Sequence, residues 1–341
     1  MTCTCFIIPA DVLKRLASDR TLPDAVRQCA QHSAQVSNAL RGLREQALEL
    51  TIVASAGAAP RRALAKAPAV TVYDCKHHQT LPGALVATPG RAKDATAKRA
   101  YLETTAVARF YRTVFKRNSI DGAGMTLLSS VHYGADYDNA MWNGTQMVYG
   151  DGDNALFVDF TSGNDVIGHE LTHGVTQHTL QLGYSGDAGG LNESLSDCFG
   201  SMFRQWQAKQ DAANADWLIG SDILGPVAKD KGYNCLRNMA DPADKRCLAP
   251  QPADYSKVTH GMDPHYSSGP PNLAFCLACK AVGGNSWDTI GQVWYRAMTG
   301  FGPSPRLSMA AFATRTRQLG TSMFDKSVGI ALDLAWKKVG L

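Results

Sequence analysis

No stretch of this chain approaches the eighteen or more consecutive apolar residues of a membrane-spanning helix. Its N-terminus also lacks the basic region, long apolar core and small-residue cleavage site of a classical leader. Phe6-Ile7-Ile8 is short, meets Pro9 at once and is followed by Lys14 and Arg15. The expectation is a protein secreted by a leaderless route or, alternatively, a cytoplasmic one. A large excess of one charge is missing too. Lys and Arg number 34 against 30 Asp and Glu, a net +4, too small and dispersed to point to nucleic acid or an anionic membrane as partner. Nine cysteines are an odd number, which excludes complete disulfide pairing; free thiols are expected, although Cys235 and Cys247 could close a small loop. At 341 residues, 45% hydrophobic and 19% charged, the chain has the composition of a soluble globular protein with room for two domains.

What is present is concentrated in His169-Glu170-Leu171-Thr172-His173, with Glu193 and Asp197 beyond it. If the pentapeptide is helical, His169 and His173 sit one turn apart on one face and can reach a single metal ion with Glu170 beside them. A hydrolytic zinc site takes three nitrogen or oxygen ligands and leaves one position open, and Glu193 supplies the third ligand. Asp197, one turn after Glu193, is suited to accept the outer N–H of a ligand histidine. The extended zinc motif with a third histidine is absent, because Thr176 and Thr179 stand where it needs Gly and His. His178 lies about 140° around the helix from His173 and reads as an ordinary surface or packing histidine.

Apolar residues at spacings of three and four give residues 11–50 a helical pattern, and a second helix is expected over 94–115 with an acidic residue at its start. Strands are expected near 70–73, 126–133 and 146–149, and the zinc helix from about 165 to 180. Between 53 and 69 the composition turns to Ala, Gly, Pro and Arg, which buries little and reads as an exposed linker open to proteolytic maturation.

The run Asn139 to Asp153, the zinc helix and the block Asn192 to Asp197 together resemble the thermolysin family of neutral zinc metallopeptidases, over residues from about 70 to the end. His265-Tyr266-Ser267-Ser268-Gly269, with Asn272, resembles that family's segment carrying the catalytic histidine. Cys3 to Leu16 is similar to the short propeptide of the protealysin-like branch. The resemblance implies an α+β two-domain metallopeptidase, strand-rich in its N-terminal domain and mainly α-helical in its C-terminal domain, with the zinc cleft between. The implied division is a propeptide at 1–55, a linker with the maturation site at 56–69, a catalytic domain at 70–191 and a helical domain at 192–341.

On the same resemblance the protein is an endopeptidase, with peptides, proteins and its own propeptide as partners, acting as a monomer. One catalytic Zn2+ is held by His169, His173 and Glu193, with Asn192 and Asp197 supporting the ligands. Glu170 is the base, and Tyr184 and His265 stabilise the oxyanion. Asn139, Ala140 and Arg237 hold the substrate main chain. Phe157, Phe160, Val166, Ile223 and Leu236 line a pocket for a hydrophobic residue just beyond the cut bond. Cys276 and Cys279 fall in an expected helix of the C-terminal domain and read as packing residues. Cys3 and Cys5 raise the idea of a thiolate on the zinc of the precursor.

Two departures from the family pattern stand out. Before His265 the chain reads Thr259-His260-Gly261-Met262-Asp263-Pro264, so His260 occupies the place of the usual Asp and Asp263 becomes the candidate orienting group. The positions matching the family's paired Ca2+ site are Asp165, Arg204, Asp216, Leu218 and Ser221. Two carboxylates cannot supply the six to eight oxygens calcium wants, so the double site is expected to be absent, with Arg204 pairing Asp165 or Asp216.

Overall fold

A computed structural model describes residues 5–50 and 67–341, leaving aside the side chains of 42–50. Cys3 and the expected linker as far as residue 66, with its maturation site, lie outside the described residues. The chain forms two compact units, residues 1–174 with 222–232, and residues 175–221 with 233–341.

The first unit opens with strand β1 (Cys5–Phe6) and helices α1 (Ala10–Ser18) and α2 (Asp24–Leu50). The helical pattern expected over 11–50 is broken where Pro23, which cannot donate to a preceding turn, ends any continuous helix. Strands β2 (Val70–Asp74) and β3 (Ala84–Leu85) follow, then α3 (Ala95–Val114), β4 (Leu127–Val131), β5 (Ala140–Trp142), β6 (Met147–Tyr149) and α4 (Asn164–Gln177). Asp94 caps α3 by accepting the Ala97 N–H at 3.1 Å, as the sequence pattern anticipates. A single six-stranded sheet has the order β1-β5-β6-β4-β2-β3. Its centre, β2-β4-β6, is parallel, and its edges are antiparallel.

The N-terminal segment is integral to this unit. β1 adds to the sheet edge with Cys5 opposite Trp142 and Phe6 opposite Met141. Cys5, Phe6, Ile7 and Ile8 are all buried, and each large apolar side chain taken from water stabilises by about 1.5–3 kcal/mol. Phe6 shares a core with Val36 of α2 and with Tyr133, Tyr137, Met141 and Val148. Polar contacts fix α2 above it. The Ser33 hydroxyl accepts the Asp138 N–H at 2.9 Å, and Ser37 and Tyr137 share a hydrogen bond of 2.9 Å. Lys231, just past helix α6 (Pro226–Asp230), pairs with Asp19 at 2.9 Å.

The second unit is mainly helical. α5 (Gly186–Ala208) is followed by the small ladder of β7 (Leu218–Ile219) and β8 (Arg237–Asn238). Then come α7 (Pro264–Ser267), α8 (Gly269–Val282), α9 (Ile290–Thr299), α10 (Met309–Met323) and α11 (Lys326–Lys338). The Trp294 and Trp336 rings stack at 5.8 Å, with Phe275 and Phe312 against Trp294 at 5.1 and 5.8 Å. α5 passes close to α7 at Gly190, where a Cβ would stand 2.6 Å from Ser267 Oγ and 2.5 Å from Met309 Cε. Cys276 and Cys279 are buried free thiols on α8. Cys235 and Cys247 are free as well, with sulfurs 3.4 Å apart, so no bond closes the loop between them.

Under α2 a carboxyl pair is held in an unfavourable place. Asp138 is fully buried, its Oδ1 accepts the Asp153 N–H at 2.9 Å, and its Oδ2 has no hydrogen-bond partner among the described residues. Burial first, and then the neighbouring Asp153, raise its pKa well above the ordinary 3.8. The folded chain therefore keeps a proton that the unfolded chain releases, and stability falls as pH rises from about 4 toward the raised value. Asp138→Asn keeps an oxygen for the Asp153 N–H and removes the titration, so the variant should gain stability relative to wild type as pH rises. It should also flatten the decline of the urea midpoint between pH 5 and pH 8; an unchanged decline would refute the assignment.

Candidate metal centre

α4 is placed by contacts on both sides. The Tyr111 hydroxyl of α3 meets Thr172 Oγ1 at 2.7 Å, and Thr172 Oγ1 bonds the Gly168 carbonyl at 2.7 Å. Gly174 lets the helix approach β5, since a Cβ there would lie 2.8 Å from Ile120 Cδ1 and 3.3 Å from Trp142 Cζ2. On the face so fixed, His169 and His173 are buried and their Nε2 atoms are 3.0 Å apart, the rings edge to face at 4.7 Å. Glu170, also buried, accepts the Trp142 N–H of β5 through Oε2 at 2.8 Å. Two imidazole nitrogens this close share either a proton or a cation. A zinc ion with bonds of about 2.0–2.1 Å would place two nitrogen ligands at roughly this separation. The donor set therefore fits zinc.

Two of the expected main-chain binders are already engaged. Asn139 Oδ1 accepts the Ile8 N–H at 3.0 Å while Asn139 Nδ2 donates to the Ile8 carbonyl at 3.1 Å. The Ile7 N–H donates to the Ala140 carbonyl at 3.1 Å. The N-terminal segment is thus gripped as a short peptide strand, on the residues expected to grip substrate. A Cys5 Sγ lies within 4.8 Å of a His173 ring nitrogen, but Cys5 is disulfide-bonded and so is not a thiolate. Among the apolar candidates, the Phe157 and Phe160 rings are 5.7 Å apart. Val166 and Ile223 converge on Gly163, where a Cβ would meet their methyls at 2.9 and 3.0 Å. All four are buried.

The second unit carries the other candidates. Asn192, Glu193 and Asp197 are buried on α5. Glu193 Oε1 accepts a short hydrogen bond from the Tyr184 hydroxyl, and Glu193 Oε2 is 3.6 Å from His265 Nε2. Tyr184 and His265 Nε2 are 3.4 Å apart. Asp263 holds His265 twice, taking its backbone N–H at 3.0 Å and facing Nδ1 at 2.6 Å. His260 is exposed. Burial works against charge on His265, yet the carboxylates of Glu193 and Asp263 outweigh it and raise its pKa.

Within this unit Asp197 is held by two donor residues. Arg237 of β8 donates to it through Nε at 2.9 Å and Nη2 at 2.8 Å, and Asn272 of α8 donates at 2.9 Å. Three elements thereby meet on one carboxylate behind Glu193. Burial alone would weaken the charge of Arg237, but Asp197 keeps it firmly protonated. Leu236, beside it, is buried, and packs 2.6 Å from the position a Cβ on Gly220 would take. Arg204 lies 3.6 Å from Asp216, one of the two pairings anticipated for it.

Asp197 and Arg237 have no exposed surface, so removing one takes a buried charged partner from the other. Asp197→Ala should cost about 3–5 kcal/mol in urea unfolding, and adding Arg237→Met should recover much of it. A loss below about 1 kcal/mol would show that the pair does not anchor α5.

Comparisons with known proteins follow the same lines. Residues 55–177 match the family model described as thermolysin metallopeptidase, catalytic domain, and residues 181–341 match the one described as thermolysin metallopeptidase, alpha-helical domain. An extracellular metalloprotease of Pectobacterium carotovorum subsp. carotovorum is 36% identical over 345 residues, covering 99% of this chain and 96% of the relative. Bacillolysin of Bacillus cereus is 41% identical over 245 residues, 67% of this chain and 41% of its own length. Among solved structures, the precursor of protealysin, a metalloproteinase from Serratia proteamaculans, superposes with a TM-score of 0.83 at 36% identity, over 98% of this chain and 99% of that one.

Proposed function

The chain belongs to the thermolysin metallopeptidases and is a metalloendopeptidase made with a propeptide, and from that premise we propose which residues act and how the precursor is restrained. His169, His173 and Glu193 would hold the catalytic zinc. When bound there, zinc acidifies a water and polarises the scissile carbonyl. Glu170, clamped by the Trp142 N–H through one oxygen, takes the proton of the attacking water and passes it to the leaving amine. Tyr184 and His265 donate to the oxyanion as it develops. Asp263 fixes the His265 ring by accepting a hydrogen bond from its Nδ1–H, which leaves Nε2 directed toward Glu193 and Tyr184. Asn192 and the Asp197–Arg237–Asn272 cluster support α5 from behind.

Residues 1–55 would be the propeptide and 56–69 the segment that is cut, ahead of a catalytic domain at 70–191 and a helical domain at 192–341. Cys5 to Ile8 inhibit by taking the main-chain bonds of Asn139 and Ala140 that a substrate needs. After release, Arg237 reaches substrate through Nη1, since Nε and Nη2 serve Asp197. Phe157, Phe160, Val166, Ile223 and Leu236 favour a hydrophobic residue at P1'. The Arg204–Asp216 pair supports the reading that a double calcium site is absent. Among the described residues no helix is long and apolar enough to cross a membrane, and a relative named as extracellular supports action outside the cell; the protein would act there as a monomer.

The observation that carries the reading is the pair of buried imidazole nitrogens 3.0 Å apart beside Glu170. A quenched peptide with Leu or Phe after the cut bond should be hydrolysed by the matured enzyme. Glu170→Gln should lower kcat by at least about 10²–10⁴-fold while zinc content stays at the wild-type level. A zinc chelator should abolish activity, and a calcium-selective chelator should leave it. Residual activity equal to wild type in Glu170→Gln would eliminate the proposed base.

A further inference from the structure

Just past the C-terminal ends of the strand pair β2–β4, a second group of nitrogen and carboxylate ligands is assembled. The pairing of these strands runs on past their ends, with the Cys75 N–H donating to the Val131 carbonyl at 2.9 Å and the His77 N–H to the His132 carbonyl at 2.8 Å. Both histidines have left-handed backbones, φ +61° for His77 and +53° for His132, a conformation that costs non-glycine residues about 1–3 kcal/mol. The result is that two rings, 5.5 Å apart between centroids, turn toward one carboxylate, that of Asp151 just beyond β6. His132 Nδ1 lies 2.8 and 2.9 Å from the two Asp151 oxygens, and His77 Nδ1 lies 3.3 Å from Oδ2. One ligand atom from each of the three falls within 4.8 Å of the others.

We propose that His77, His132 and Asp151 form a second site for a borderline-soft divalent transition-metal ion of the zinc class, distinct from the catalytic one. A tetrahedral ion with bonds of about 2.0–2.2 Å sets its ligands about 3.3 Å apart, which the spacings above approach with only small side-chain shifts. Two imidazoles and one carboxylate suit zinc, cobalt or nickel, whereas calcium would need six to eight oxygens. The outer nitrogen of His132 already has the partner such ligands require. Its Nε2 is 2.6 Å from Asp94 Oδ2, a carboxylate that fixes the ring and leaves Nδ1 for the ion. Asp94 in turn caps α3. The His77 side chain is 61% exposed, so the ion enters from solvent and its fourth corner takes a water. Bound there, it staples the turn after β2, the end of β4, the loop after β6 and the start of α3.

The test is metal content per chain, measured on the full-length protein after equilibration with buffered zinc, together with the thermal midpoint. Wild type should bind one equivalent beyond the one that His173→Ala removes, and that extra equivalent should raise the thermal midpoint. His77→Ala, an exposed change, should lose the extra equivalent and the thermal gain while keeping proteolysis. Asp94→Asn retains an equally good helix cap and should weaken the extra site about 10–100-fold. His78→Ala, at the neighbouring exposed histidine, should bind as wild type. An extra equivalent that survives both His77→Ala and Asp151→Asn, or its absence from wild type, would overturn the proposal. Loss of the catalytic equivalent alone would count against the peptidase reading and leave this site standing.

Discussion

Two imidazole nitrogens facing each other at 3.0 Å in a fully buried place form the constraint on which the proposed chemistry depends. Lone pairs so arranged repel unless a proton or a metal ion is shared between them, and desolvation magnifies the effect. The spacing follows from the helix itself, since residues four apart share a face. What the fold adds is immobility. Thr172 ties α4 to Tyr111 of α3, Gly174 lets the helix sit against Trp142, and the Trp142 N–H keeps Glu170 at its post. In the other unit the buried Asp197–Arg237 pair does the equivalent work for the helix carrying Glu193.

The restraint proposed for the N-terminal segment rests on the same physics. A peptide strand needs its N–H and C=O groups satisfied, and Asn139 satisfies one of each on Ile8. Substrate recognition by main-chain bonds is indifferent to side chains, so the protein's own chain can fill the place. Burial of Phe6, Ile7 and Ile8 supplies affinity that a passing peptide would not have. The buried carboxyl of Asp138, whose backbone N–H is held by Ser33 of α2, works in the opposite sense, since its raised pKa makes the fold less stable as pH rises.

Local features were legible in the sequence. The 94–115 periodicity corresponds to α3 at Ala95–Val114 with Asp94 as its cap, and the zinc helix begins within one residue of its expected start. Asp263 stands in for the Asp that the family pattern has at position 260, and it contacts both the backbone and the ring of His265. Features made by distant residues were not legible. β5 was quoted as a motif but not as a strand, because three residues carry no periodicity until β1 and β6 pair with them. The use of Asp197 by Arg237 and Asn272 joins positions 40 and 75 residues away. His77, His132 and Asp151 share no local spacing at all, and only the register of β2 and β4 brings the two histidines together.

The most direct measurement of the central claim is anomalous diffraction at the zinc edge from crystals of the zinc-loaded precursor. The account predicts a peak bonded to His169 Nε2, His173 Nε2 and a carboxylate oxygen of Glu193, with Glu170 near it but not coordinated. A peak that lacked Glu193, or no peak at His169 and His173, would contradict it.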